Sequence, residues 1–321
     1  VKPARANKSK AAKDTAAPET TPGPLEYPTA RIVALLREAR ALEELMERLA
    51  DAGRIGTTRP AGQSRIAMVG AGLALEAGDL LFGTARDLPA ALARGASLDL
   101  VLRQAFARSG DPALGRGLPG ALQDASLGLR LSDGGPANHL VHASGFGHAA
   151  AIRREPRVAL ALFGGAAQAQ GDLHAALGFA AVYKAQTVFV ARGPIQDELW
   201  LDEVGEAWGI RALRVAGDDA GAVYAAVGEA RRRAIAGGGP TVIDARLAGP
   251  AAPVDEERFR DQGIQDAAAV SALAADIRAR LSAARAAAEA APPIPEASLP
   301  REVFAATPWF LTTPDPTERA S

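Results

Sequence analysis

From Pro28 to Gly53 apolar residues return every three or four positions, at Ile32, Leu35, Leu36, Ala39, Leu42, Leu45, Met46 and Leu49. That period builds one apolar face and predicts a long helix. A loop with Pro60 and Gly62 leads to a small-residue helix over Ile66 to Leu75, ended near Gly78. After Asp79-Leu80-Leu81-Phe82 another helical piece runs to Gly95, and Ser97 is suited to cap a helix carrying Leu98, Val101, Leu102, Ala105 and Phe106. Residues 109 to 137 lose the pattern, with seven glycines and three prolines. A loop of this length in a compact domain usually lines a site or a subunit boundary. The period then alternates. A helix over about 138 to 153 precedes a strand from Val158 to Phe163. A helix over about 171 to 183, a strand from Thr187 to Ala191 and a helix over about 200 to 208 follow. The apolar segment Ala212 to Val215, a helix from Asp219 to Ile235 and a strand from Thr241 to Ala245 complete the series. Nearly all-apolar strands alternating with helices predict an α/β fold, a parallel sheet with helices on both faces.

Outside that series the chain changes character. Residues 1 to 27 read as a flexible basic and proline-containing tail, either an arm for an acidic partner or an inert extension. Residues 28 to 250 form the α/β domain. Residues 251 to 321 form a helical and proline-rich extension, with a long Ala/Arg helix over about 266 to 290. Its Phe304, Trp309 and Phe310 are suited to pack on this domain or a neighbour.

Composition narrows the function less than the pattern narrows the fold. The 36 basic and 37 acidic residues give a net charge of −1, so bulk charge points to neither nucleic acid nor membrane. No apolar run approaches the roughly 18 residues of a membrane span. The lysines near the start are followed by polar residues, unlike a signal peptide. Without cysteine there are no disulfides, thiolate nucleophiles or Cys-based metal sites. The chain reads as cytoplasmic. Abundant alanine and glycine fit a subunit packed widely on partners, or simply a codon bias.

Candidate chemistry is sparse. In "ALALFGGAAQAQGDLHAALGFAA" a buried strand enters the turn Gly164, Gly165, Ala166, Ala167, which offers backbone N–H groups but no carboxylate, hydroxyl or lysine. Asp172 and Gln170 could approach the strand end, yet one carboxylate is thin for Mg²⁺, and Asp172 reads as a helix cap. The acidic cluster Asp197, Glu198, Asp202 and Glu203 reads as helix-terminal capping and solvated surface. His139, His142, His148 and His174 lack the spacing of a zinc set, and Ser144 lacks the context of a nucleophile elbow.

The order of several segments resembles the α subunit of the thiamine-diphosphate-dependent 2-oxoacid dehydrogenase E1 component, nearest the branched-chain type. The resemblance spans about residues 28 to 314. It is carried by "AGDLLFGTARDLPAALARG", "GRGLPG", "VALALFGGAAQAQGDLHAALGFAAVYKAQTVFVA", "EAWGI", "VAGDDAGAVYAAVGEARRRA", "GGGPTVIDA" and "REVFAATPWFL". It implies a thiamin-diphosphate-binding fold and an E1-β-like partner in an α₂β₂ assembly. The cofactor would lie between the subunits, with a metal and diphosphate grip supplied by α.

Matched residue by residue, most of that grip is missing. The metal-binding Asp of the family's glycine-Asp-glycine turn falls on Gly165. The paired asparagines after the next strand fall on Gly193 and Pro194. In the loop "Y-R-x-H-G", Tyr falls on Ala85, Arg on Arg86, His on Leu88 and Gly on Pro89, and a second histidine falls on Ala121. His139 matches a histidine of some branched-chain-type members. What remains of the cleft is Arg86, Gly164, Gly165 and Gln170, with no catalytic residue and no metal ligand. The expectation is a degenerate structural or regulatory subunit with no cofactor. The alternatives are an active oxidative-decarboxylation subunit using thiamine diphosphate and Mg²⁺, and a cleft turned to another ligand. An acyltransferase core is a further possible partner of the assembly.

Overall fold

A computed structural model of the chain describes residues 28–193, 205, 207–247, 267–298, 304–306, 308 and 309. The tail over 1 to 27, Pro194 and the cluster Asp197, Glu198, Asp202 and Glu203 lie outside the described residues, as does most of the expected helix over 200 to 208.

The helices are α1 (Thr29–Asp51), α2 (Arg65–Leu73), α3 (Leu88–Ala93), α4 (Leu98–Ala105), α5 (Asn138–Arg153), α6 (Gly171–Val182), α7 (Ala220–Arg233) and α8 (Ala267–Ala290). The strands are β1 (Leu80–Thr84), β2 (Gln123–Asp124), β3 (Leu129–Ser132), β4 (Ala159–Phe163), β5 (Thr187–Arg192), β6 (Arg211–Ala216) and β7 (Thr241–Arg246). They form one seven-stranded sheet in the order β2-β3-β1-β4-β5-β7-β6. Every pairing is parallel except the edge pair β2–β3.

Alternation along the strands sorts the core into two layers. Leu81, Leu131, Leu160, Leu162, Val188, Val190 and Ile243 face α2, α3, α4 and α7, with α1 and α8 packed outside them. Phe82, Ala159, Ala161, Phe163, Phe189 and Val242 face α5 and α6. Because both faces are covered, β4 and β5 are buried at every position. Glu43 of α1 ties the outer layer inward. It accepts the Ala61 N–H at 2.9 Å and pairs with Arg65 at 2.7 Å.

Three local expectations need correction. Asp79 to Phe82, read only as a lead-in to a helix, runs into central strand β1. The irregular stretch 109 to 137 contains β2 and β3. Asp172 lies in the first turn of α6 and does not cap it; the cap position is Gln170, with no side-chain hydrogen bond. Ser97 does cap α4, accepting the Leu100 N–H at 3.1 Å. Phe304 and Trp309 remain 48% and 84% exposed, so neither is sunk into this domain.

Candidate functional site

The chain leaves β1 toward β3 on one side and leaves β4 toward β5 on the other. The boundary between β1 and β4 is therefore where the strand order reverses, and in open parallel sheets ligands bind in the crevice outside the carboxyl ends at that point. Two turns meet there. After β1, Thr84 enters the short turn Ala85–Asp87; after β4, Gly164 enters the short turn Gly165–Ala167.

A buried ion pair spans this boundary. Arg192, the last residue of β5, donates from Nε to Asp87 Oδ1 and from Nη2 to Asp87 Oδ2, the latter at 2.9 Å. Asp87 Oδ2 also accepts the Thr84 N–H at 2.8 Å and the Thr84 hydroxyl at 3.0 Å. Asp87 is fully buried and Arg192 is 7% exposed. A side chain at position 164 would begin 3.1 Å from Arg192 Nη1. Glycine there leaves the guanidinium its room. The loop after α4 closes the near wall. Gly120, at φ +90, lies so close to the turn after β1 that an added Cβ would sit 2.7 Å from the Ala85 carbonyl oxygen. This tight approach, more than any side chain, explains part of that loop's glycine content.

His139, near the start of α5, is 2% exposed and donates from Nε2 to the Leu162 carbonyl at 2.7 Å. That bond fixes the neutral tautomer, and Nδ1 is left without a hydrogen-bond partner among the described residues. Ser132 Oγ, on β3 opposite Thr84, is likewise buried and unpartnered. Burial pushes the His139 pKa below its usual value. The Leu162 bond and Asp87 oppose the shift, and the Arg192 and His142 charges add to it.

This shift carries a pH dependence. The folded value lies below the unfolded one of 6.5, so an acidified unfolded chain takes up a proton that folded His139 resists. Stability is held in full above pH 6.5 and is lost as pH falls from there toward the folded value. Thermal melts at pH 7.5 and 5.5 should show a drop in Tm that is smaller in His139→Gln. An equal drop in both proteins would remove His139 as its source.

The residues expected in the cleft are only partly assembled. Gly164 and Gly165 sit at the switch point. Arg86 occupies the same turn as Asp87 but is exposed, and Gln170 is exposed at the start of α6. Leu88, Pro89, Ala85 and Ala121, where the resemblance places polar groups or a glycine, are all buried in apolar packing. The sequence reading missed Asp87, Arg192, Thr84 and Ser132. The one signal for them was an arginine ending an otherwise apolar strand.

A Mg²⁺-bound diphosphate does not fit these groups. Gly165, Ala166 and Ala167 carry no side-chain oxygen, and the described residues contain no cluster of three His, Cys, Asp or Glu able to hold a metal. Mg²⁺ requires near-octahedral oxygen ligands, usually with one or two carboxylates. Asp87 is the carboxylate at the end of β1, and both its oxygens are engaged by Arg192 and Thr84. Its charge in turn cancels the guanidinium that could otherwise balance a phosphate.

Strand order, the two-sided helical cover and the glycine turn at the switch point define a thiamin-diphosphate-binding type of α/β fold. The family model described as "Dehydrogenase E1 component" matches residues 34–193 and 200–248, and the chain belongs to that family. The α subunit of mouse 2-oxoisovalerate dehydrogenase, a mitochondrial protein, is 32% identical over 55% of this chain and 42% of its own length. The α 2 subunit from Arabidopsis thaliana, also mitochondrial, is 32% identical over 59% of this chain and 43% of its own. The Bacillus subtilis α subunit is 28% identical over 69% of this chain and 72% of its own. The chain thus spans less than half the length of the mouse and Arabidopsis relatives. Because those relatives are mitochondrial, the cytoplasmic expectation does not stand. No helix among the described residues is long and apolar enough to cross a membrane.

Proposed function

We propose that this chain is a catalytically degenerate E1-α-like subunit. It acts as a structural or regulatory partner of an E1-β-like subunit in a 2-oxoacid-dehydrogenase-type α₂β₂ assembly. The observation that carries this reading is the Asp87–Arg192 pair. A closed, charge-compensated ion pair spans the switch point, beside a turn whose Gly165 stands at the expected metal-ligand position. Proton transfer is not supplied either, because Leu88 and Ala121 stand where imidazoles are expected and His139 is held neutral by burial.

A subunit role draws separate support from the outer surface of α5 and α6. Val141, Ile152, Phe179, Val182 and Tyr183 are exposed there, with Val182 at 76%. The Phe179 and Tyr183 rings lie 4.6 Å apart and both meet His148. Exposed apolar side chains gathered on two neighbouring helices, with an aromatic cluster among them, suit an interaction face.

Calorimetric titration of thiamine diphosphate in the presence of Mg²⁺ is expected to give no Mg²⁺-dependent heat. This should hold for the chain alone and for the chain co-expressed with an E1-β-like partner. Saturable micromolar binding that requires the metal would overturn the degenerate reading. Native mass spectrometry of the co-expressed pair tests the assembly itself, with an α₂β₂ mass expected.

A further inference from the structure

Glycines interrupt the interiors of α5 and α6, and the fold explains those that face inward. A Cβ on Gly147 of α5 would sit 2.2 Å from Thr187 Oγ1, and one on Gly178 of α6 would sit 2.8 Å from the Trp208 ring. Gly145 is different. It lies mid-helix on the exposed side of α5, and nothing beyond its own helix backbone comes within 4 Å of a Cβ built there. Glycine is among the poorest helix formers. An exposed one, with no neighbour in the chain to make room for, calls for a close approach from outside.

The stripe around Gly145 reads the same from either end. Val141, Gly145, Ala149 and Ile152 share one face of α5 at helical spacing, and all four are exposed, Val141 at 39% and Ile152 at 69%. The order is large, small, small, large. Laid antiparallel on itself about a two-fold axis, the stripe sets Val141 against the partner's Ile152 and Gly145 against the partner's Ala149. A two-fold contact requires such self-complementarity, and an unrelated partner does not.

Charge follows the same symmetry. Helix α5 leads into β4 and α6 leaves it, so both helices start at the same end of the sheet. Asp133 and Asp172 are exposed at that end, and Arg154 and Lys184 at the other. Asp172, Arg154 and Lys184 make no side-chain ion pair among the described residues. The two-fold that matches the stripe also brings the acidic end of one copy to the basic end of the other. We propose that this face joins two copies of the chain, α5 crossing α5 at Gly145, with Phe179, Val182 and Tyr183 closing over its flank. This rests on the subunit reading above and adds to it, giving the face to a second copy and leaving a β-like chain another surface.

Sedimentation velocity of the full chain alone is expected to show a concentration-dependent dimer. Gly145→Leu places its side chain in open space on a single chain, so it should keep the parent circular dichroism. It should weaken the dimer at least about tenfold. Asp172→Lys and the double variant Arg154→Glu/Lys184→Glu each set like charges across the two-fold, so each alone should dimerise more weakly than the parent. Mixed in equal amounts, the two restore opposite charges at both ends, and native mass spectrometry should show the heterodimer outweighing either homodimer. A parent that stays monomeric, or a Gly145→Leu dimer as tight as the parent's, sinks the proposal. If the chain is monomeric alone and Gly145→Leu instead breaks an α₂β₂ complex, the subunit reading stands and the two-copy contact falls. A Gly145-dependent dimer with no α₂β₂ mass on co-expression would do the reverse.

Discussion

Replacing Asp79 with alanine is expected to cost about 3–5 kcal/mol of stability, the scale for breaking one side of a buried ion pair. Asp79 is fully buried just before β1 and holds three segments together. Its Oδ1 accepts the Val158 N–H at 2.9 Å, its Oδ2 accepts the Glu76 N–H at 2.8 Å, and Arg231 of α7 donates to Oδ2 at 2.6 Å. Alanine removes the countercharge and leaves the Val158 N–H without its acceptor. Among the described residues Arg231 keeps only the exposed Glu76 carboxylate at 2.8 Å and the Pro156 carbonyl at 3.3 Å. Asn at the same position keeps one acceptor oxygen and should fall between the two. Urea unfolding of the three proteins measures the series, and a loss below about 1 kcal/mol for Asp79→Ala would contradict it.

Asp87→Ala should be nearly as costly, also about 3–5 kcal/mol, for a different reason. Here the guanidinium left behind is 7% exposed, and its other described polar contact is the Thr84 hydroxyl at 3.4 Å. The double variant Asp87→Leu/Arg192→Met removes both charges, so it should recover most of the loss. Such recovery is the signature of a pair whose cost lies in the stranded charge. If the double variant is as unstable as the two single losses added together, the pair is not coupled as the geometry implies.

These two aspartates also show what the sequence could and could not convey. Helix α1 was legible because its apolar residues repeat at the helical period, β4 because its run is wholly apolar, and β5 because its middle, Val188 to Ala191, is. Helix α5 fell on its expected bounds of about 138 to 153. Strand β3 escaped notice because "LRLS" is four residues long inside a glycine-rich stretch, and its pairing with β1 is what makes it a strand. Strand β1 was obscured by its brevity and by Gly83. The site was harder still. The residues matching the expected cofactor turn were visible as an absence, at Gly165. The group that spans the space was not visible, because Asp87 and Arg192 are 105 positions apart and nothing local marks them as partners.

The room left by Gly164 for Arg192 ties the shape of this turn to the ion pair beside it. A Cβ at position 164 would begin 3.1 Å from Arg192 Nη1, so a larger residue there presses on a guanidinium that Asp87 already holds. The guanidinium can give way only by loosening that hold, and the glycine and the pair therefore vary together or not at all.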